Sequence, residues 1–313
     1  MTQRPGALAG IGNTPIVQLT TLPAPGSAEV WVKLEAANPT GSYKDRMALA
    51  MIEGAEQRGD LQPGGTVVEY TGGSTGSSLA LVCSVKRYRL RIVTSNAFAL
   101  EKLRTMAAFG AELEIIDSPE GIHPQLIPMM RARAAEILAA DGGYATDQFN
   151  NRDALIGYRG IGTEAATQVD AKIDALCIYA GVGGCLIGTA EGVAARWPAV
   201  HRVVVEPSES AVLSGGVAGT HRIEGGGVGF VPPHLQPASD GSVPYDEVMS
   251  VSTADAFAMA RRAAAEEGIW GGPSGGANLV AALRMAERLG HGHRVLTVQC
   301  DSGMKYLNSD LYA

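Results

Sequence analysis

Short apolar, β-branched runs alternate along this chain with longer Ala-rich stretches of helical character. Strands are expected at 30–34, 66–70, 91–95, 112–117, 175–180, 202–206 and 295–299. Helices are expected at 44–58, 75–87, 99–109, 124–140, 152–169, 184–196, 254–267 and 275–289. Strand followed by helix, over and over, is the pattern of an α/β protein whose mostly parallel, twisted sheets are flanked by helices on both faces. No internal repeat of fixed period is present. Between about 208 and 242 Gly, Pro, Ser and His dominate and periodicity is lost, which marks a long functional or mobile loop. A second irregular stretch at 141–153 separates two helical halves. The lobe boundary is set there, with a smaller lobe over 40–150 and a larger one over 1–39 and 151–313. The strand at 30–34 is a candidate to cross to the far lobe, which spacing alone does not decide.

Length agrees with two lobes, because 313 residues exceed the roughly 250 at which a single core usually divides. Hydrophobic residues at 46% and charged residues at 18% fit a soluble globular enzyme. The 40 glycines exceed the ~7% of ordinary usage and point to many tight turns. A net charge of −7 with scattered Lys and Arg offers no basic stripe, so nucleic acid is not an expected partner. The start, Met1-Thr2-Gln3-Arg4-Pro5-Gly6, lacks the apolar run of a signal peptide. No segment reaches the ~18 apolar residues of a membrane span, and a cytoplasmic protein with no membrane partner is expected. Cys83, Cys177, Cys185 and Cys300 form no C-x-x-C pair, so buried reduced thiols are expected rather than disulfides or zinc. His291-Gly292-His293 has no third ligand in view, and no metal is expected.

Candidate chemistry begins at Lys44, between the Pro/Gly turn of Asn38-Pro39-Thr40-Gly41-Ser42-Tyr43 and an Ala/Met-rich helix. Three glycine-rich turns follow, each between a strand or loop and a helix. Glycines allow close backbone approach to a ligand, and the open N–H groups of a helix start attract carboxylate or phosphate. Thr71-Gly72-Gly73-Ser74-Thr75-Gly76 suits an α-amino acid carboxylate, while Ser74 equally suits an N-cap. Gly181-Val182-Gly183-Gly184-Cys185 suits a phosphate monoester. With Glu206 downstream it also imitates a dinucleotide site, but Leu186 stands where that fingerprint needs its third glycine. In Gly271-Gly272-Pro273-Ser274-Gly275-Gly276, Ser274 suits an N-cap, or a hydroxyl set against a pyridine nitrogen. The run Gly225-Gly226-Gly227-Val228-Gly229 reads as a flexible bend, and no G-x-S-x-G elbow is present.

In register, these segments resemble the cysteine synthase (O-acetylserine sulfhydrylase) branch of the fold type II pyridoxal-phosphate enzymes, the tryptophan synthase β-like group. The resemblance runs from Ile11-Gly12-Asn13-Thr14-Pro15 through Lys33-Leu34-Glu35, the Lys44 segment and the 71–76 turn to Asp147-Gln148-Phe149-Asn150. It continues through the 181–185 turn, Val205-Glu206-Pro207, Gly227-Val228-Gly229-Phe230-Val231-Pro232 and the 271–277 segment to Asp301-Ser302-Gly303. The resemblance implies pyridoxal 5'-phosphate, held at the lobe interface as a Schiff base on Lys44. It implies Gly181, Val182, Gly183, Gly184 and Cys185 at the cofactor phosphate, Ser274 at the pyridine nitrogen, and Ser74 near the ring. Thr71, Gly72, Gly73, Ser74 and Thr75 would take the substrate carboxylate, with Gln148 approaching from the facing lobe. The implied reaction is β-replacement on an activated L-serine, O-acetylserine or O-phosphoserine, through an α-aminoacrylate to L-cysteine or a related β-substituted alanine. A homodimer is implied, and a serine acetyltransferase tail is a further partner known among relatives that no residue here supports.

Two departures bear on the substrate. The family reads Thr-Ser-Gly-Asn-Thr-Gly at the first turn, where this chain has Gly72 for the Ser and Ser74 for the Asn. Cys185 replaces the usual Thr of the phosphate turn, exchanging a good donor for a weak one. The alternatives are elimination alone, as in serine or threonine dehydratases and cysteine desulfhydrases, and a non-catalytic binding protein on the same fold.

Overall fold

The computed structural model describes residues 6–119 and 125–313. The first part of the chain forms β1 (Ile16–Gln18), β2 (Glu29–Leu34), α1 (Lys44–Arg58), β3 (Thr66–Tyr70), α2 (Ser74–Lys86), β4 (Arg89–Ser95) and α3 (Leu100–Ala108). The middle forms β5 (Glu112–Ile116), α4 (Leu126–Asp141), β6 (Tyr144–Ala145), α5 (Asp153–Gln168), β7 (Ala175–Tyr179) and α6 (Gly184–Ala194). The last part forms β8 (His201–Pro207), β9 (Glu247–Val251), α7 (Thr253–Glu267), α8 (Pro273–Leu289) and β10 (Arg294–Gln299). Residue 124, where the fourth helix was expected to start, lies outside the described residues.

The chain divides into two units. The smaller takes the described residues up to Ile11 together with Lys44–Gly157, and the larger takes Gly12–Tyr43 and Tyr158–Ala313. The crossings therefore fall at Tyr43–Lys44 and within α5, against the 39/40 and 150/151 expected from composition. Packing explains the second crossing. The first turn of α5 is held by α1: Arg58 pairs with Asp153 at 2.8 Å, and a Cβ at Gly157 would strike the Arg46 carbonyl. Residues 6–11 go with the smaller unit, where Leu8 is fully buried.

In the smaller unit four parallel strands run in the order β5-β4-β3-β6. Val68 and Val93 of the central pair pack with Leu126, Met130 and Ile137 of α4. In the larger unit six strands run β1-β2-β10-β7-β8-β9, parallel except for the edge strand β1. The strand at 30–34 thus pairs with β10 of the distant C-terminal part, Val30 opposite Val295. Every residue of β7 is buried, as a central strand covered on both faces requires. Val30, Cys177, Val203, Leu279, Met285 and Val295 belong to the core of this unit.

Candidate active site

In the smaller unit the carboxyl ends of three adjacent strands, β4, β3 and β6, carry the candidate residues, the edge of a parallel sheet at which α/β proteins bind ligands. The central loop is the 71–76 turn. Gly73, extended at φ −118°, is the N-cap of α2, and Ser74 is the first helical residue rather than the cap. A glycine cap offers no side chain to the first N–H groups of the helix, and the Gly76 N–H donates to the Gly73 carbonyl at 3.1 Å. The Gly73 N–H donates to Thr71 Oγ1 at 3.2 Å. The buried Thr75 hydroxyl donates to Gln148 Oε1 at 2.8 Å. Gln148 therefore belongs to the same unit as the turn and not to a facing lobe. It follows β6, which is hydrogen-bonded to β3.

Beneath this pair lies Glu69, which the sequence reading missed. Its Oε2 accepts from Thr146 Oγ1 at 2.6 Å and from the Gln148 N–H at 3.4 Å, and its Oε1 accepts from the Tyr70 N–H at 2.9 Å. Burial pushes its carboxyl up to about 7, and the Asp147 carboxylate adds to the rise, against the three hydrogen bonds that lower it. On the other side of the turn, at the end of β4, the Phe98 ring lies against Gly72. Lys44 opens α1 and is 8% exposed. The next residue, Asp45, accepts from Ser78 Oγ at 2.6 Å, which ties the start of α1 to α2.

In the larger unit the 181–185 turn joins β7 to α6. Gly183, at φ +87°, is the cap of α6, and a Cβ there would come within 2.6 Å of Leu235 Cγ. A Cβ at Gly181 would come within 2.7 Å of the Gly225 carbonyl oxygen, and the Gly227 N–H donates to the Ala180 carbonyl at 3.0 Å. The 225–229 run, read as a flexible bend, is thus packed flat along the 180–181 backbone. Cys185 is buried, its Sγ 3.9 Å from Thr189 Oγ1 one turn along the helix.

Ser274 is the second residue of α8, after the cap Gly272 and Pro273, so it is not the N-cap either. It is 4% exposed, and among the described residues its hydroxyl meets no hydrogen-bond partner. One turn further, Asn278 fixes α8 to the sheet, accepting from the Tyr179 N–H at 2.6 Å and donating to the Val298 carbonyl at 2.7 Å.

The strap leading to Lys44 is fixed within the same unit. Glu35 accepts from Thr14 Oγ1 and Asn38 Nδ2, both at 2.7 Å, and Asn38 Oδ1 accepts from the Gly12 N–H at 2.9 Å. Lys33 Nζ, fully buried, pairs with Glu164 at 2.7 Å. The Ser302 N–H donates to the Gly41 carbonyl and the Tyr43 N–H to the Cys300 carbonyl, both at 3.0 Å. Tyr43, whose phenol burial pushes well above its usual range, lies 5.3 Å from the Tyr158 ring. The peptide bond from Tyr43 then delivers Lys44 to α1.

Residues 7–301 match the family described as "Pyridoxal-phosphate dependent enzyme", and the chain belongs to it. A cysteine synthase of Staphylococcus aureus is 38% identical over 305 residues, covering 97% of this chain and 95% of that protein. Among solved structures, a cysteine synthase of Entamoeba histolytica superposes with a TM-score of 0.90 at 31% identity, over 100% of this chain and 92% of that one. An O-ureido-L-serine synthase superposes with a TM-score of 0.88 at 32% identity, over 98% and 94% respectively. Within the family this is the cysteine synthase branch of fold type II, and the cofactor is pyridoxal 5'-phosphate.

Proposed function

We propose that this enzyme exchanges the acetate of O-acetyl-L-serine for sulfide, giving L-cysteine, with related β-substituted alanines from other nucleophiles. The observation that carries the reading is Lys44 at the head of α1, in a chain matched over nearly its whole length by a cysteine synthase. The donor groups fit pyridoxal phosphate: a primary amine on Lys44, the first N–H groups of α6 for a phosphate, and the buried Ser274 hydroxyl for a ring nitrogen. Bound to the chain, the cofactor supplies an electron sink for negative charge at the substrate α-carbon.

The residues then divide the work. Lys44 Nζ would hold the cofactor and, as an amine beside the bound amino acid, would remove the α-proton. Thr71 through Thr75 bind the substrate carboxylate, with Thr75 oriented by Gln148. The Cβ–O bond breaks with departure of acetate, sulfide forms the Cβ–S bond, and Lys44 Nζ returns its proton to the α-carbon. Gly181 through Cys185 would hold the cofactor phosphate. A homodimer in the cytoplasm completes the reading. It is supported by the family resemblance and by four buried cysteine thiols, which suit a reducing compartment. Among the described residues no helix is long and apolar enough to cross a membrane.

The test is to add O-acetylserine to the purified, yellow protein, follow the cofactor spectrum, then add sulfide and measure cysteine and acetate. Stoichiometric cysteine and acetate are expected, with loss of the reaction and of the bound-cofactor band in Lys44→Ala. Release of keto acid without any nucleophile would replace this reading with elimination. A colourless protein that pyridoxal phosphate does not reconstitute would end it.

A further inference from the structure

Two glycines stand side by side in the 71–76 turn, and only one is hemmed in. A Cβ at Gly73 would meet nothing within 4 Å, whereas a Cβ at Gly72 would fall inside contact distance of Cγ, Cδ1 and Cδ2 of Phe98. Gly72 is not among the glycines of positive φ, so its backbone does not demand glycine; the Phe98 ring does. That ring is well anchored. It sits half-buried at the rim of the core beside Tyr70 and Ala97, the Phe98 backbone N–H donates to the Ser95 carbonyl at 3.2 Å, and the Ala97 N–H donates to Ser95 Oγ at 3.1 Å. The loop is also tied to the end of β5, where the Ser118 N–H donates to Asn96 Oδ1 at 2.7 Å.

The turn therefore lies between two different jaws. After β6 comes a polar one, with Gln148 on Thr75 and the carboxyls of Glu69 and Asp147 close by. After β4 comes an aromatic one, which fills the side-chain space of position 72. A phenyl ring takes up volume and gives no hydrogen bond to an anion. We propose that Phe98 is a specificity-determining residue of the reaction proposed above: by occupying the side-chain space of Gly72 it restricts the turn to amino acids with a compact, uncharged β-substituent. The inference deepens that reading and rests on it for the identity of the reaction.

The test compares O-acetyl-L-serine, O-succinyl-L-serine and O-phospho-L-serine, which carry a compact neutral, a larger anionic and a compact anionic substituent. Wild type, Phe98→Ala, Phe98→Leu, Gly72→Ser and the double variant Gly72→Ser/Phe98→Ala are measured for kcat/KM with sulfide and for spectral dissociation constants of each amino acid. Phe98→Ala should shrink the preference for the acetyl over the succinyl compound by about tenfold or more, and Phe98→Leu by less. Gly72→Ser should melt lower and bind all three poorly, and Phe98→Ala in the same chain should restore both. An unchanged preference in Phe98→Ala, within about twofold, overturns the proposal, as does a fully active Gly72→Ser with wild-type melting. If the wild type binds these amino acids but makes no cysteine, the proposed reaction fails alone, and the dissociation constants still decide the role of the ring.

Discussion

The Thr75 hydroxyl donates to the side-chain carbonyl of Gln148 at 2.8 Å, joining the first turn of α2 to the loop after β6. With its proton committed, the Thr75 oxygen is fixed, and Gln148 keeps its amide N–H groups for another acceptor. On this geometry Gln148→Ala should raise KM for the amino acid donor about tenfold, the worth of one or two hydrogen bonds to a charged group. The dissociation constant of pyridoxal phosphate should change little. Thr75→Val should behave alike, and the two changes together should cost less than the sum of their separate effects. Steady-state kinetics and cofactor titration check this, and fully additive losses would mean that the pair does not act as a unit.

Glu69 carries a pH dependence whose sign follows from its burial. Its carboxyl is raised from 4.5 to about 7 by desolvation, so the folded protein holds a proton that the unfolded chain has lost between those values. The stabilisation is fully present below pH about 4.5 and is lost as pH rises through about 7. Its size for this one group is about 3 kcal/mol. The groups facing it are Thr146, the Tyr70 and Gln148 N–H groups and the Asp147 carboxylate, which adds to the rise. Glu69→Gln should flatten this dependence. The difference in urea midpoint between wild type and variant, followed from pH 5 to 8, should therefore change in favour of the variant as pH rises. A difference that stays constant over that interval would show that Glu69 does not titrate there.

The candidate residues of each unit are visible in the sequence because their signals are local. Lys44, the 71–76 turn, the 181–185 turn and Ser274 all stand at the start of helices, which glycine and small polar residues mark. Local reading also erred in a consistent direction. Ser74 and Ser274 each suit a cap, yet the extended backbones of Gly73 and Gly272 take that position and move both serines into the first turn. What stayed hidden depends on contacts between distant segments. Glu69 reads as one polar residue in a strand until Thr146 and Gln148 are brought over it. Phe98 reads as a core aromatic until its ring is found on Gly72. The strands β1 and β6 have three and two residues, too few for any alternation to register, and β9 carries Glu247 and Ser250 among its apolar residues. The pairing of β2 with β10 spans most of the chain and is a tertiary choice.

Gly183 combines two demands that can be measured apart. At φ +87° an L-residue is strained by about 1–2 kcal/mol, and a Cβ 2.6 Å from Leu235 Cγ adds overpacking of about 1–3 kcal/mol because Leu235 is fully buried. Gly183→Ala should therefore lower the stability of the protein without cofactor and weaken pyridoxal phosphate binding, since the displaced turn carries the first N–H groups of α6. Measured against Leu235→Ala alone, Gly183→Ala should cost only the backbone part, because the packing clash is gone. Urea unfolding and cofactor titration of these variants separate these contributions. A Gly183→Ala protein of wild-type stability and cofactor affinity would show that the turn adapts freely.

Ser274 gives the sharpest contrast between a structural serine and one that serves a ligand. The Ser274 side chain is 4% exposed, and its position inside α8 removes any capping role. Ser274→Ala should accordingly leave the cofactor-free protein as stable as wild type or more so. The cofactor-loaded enzyme should instead lose about 1 kcal/mol of the stabilisation that pyridoxal phosphate confers, the worth of one hydrogen bond. Turnover should fall several-fold, with a shifted absorbance maximum. Ser274→Asp would bury a carboxylate, and should destabilise the cofactor-free chain by several kcal/mol. Melting each protein with and without pyridoxal phosphate reads both effects. A Ser274→Ala variant that loses stability equally in the two states would return this residue to a purely structural role.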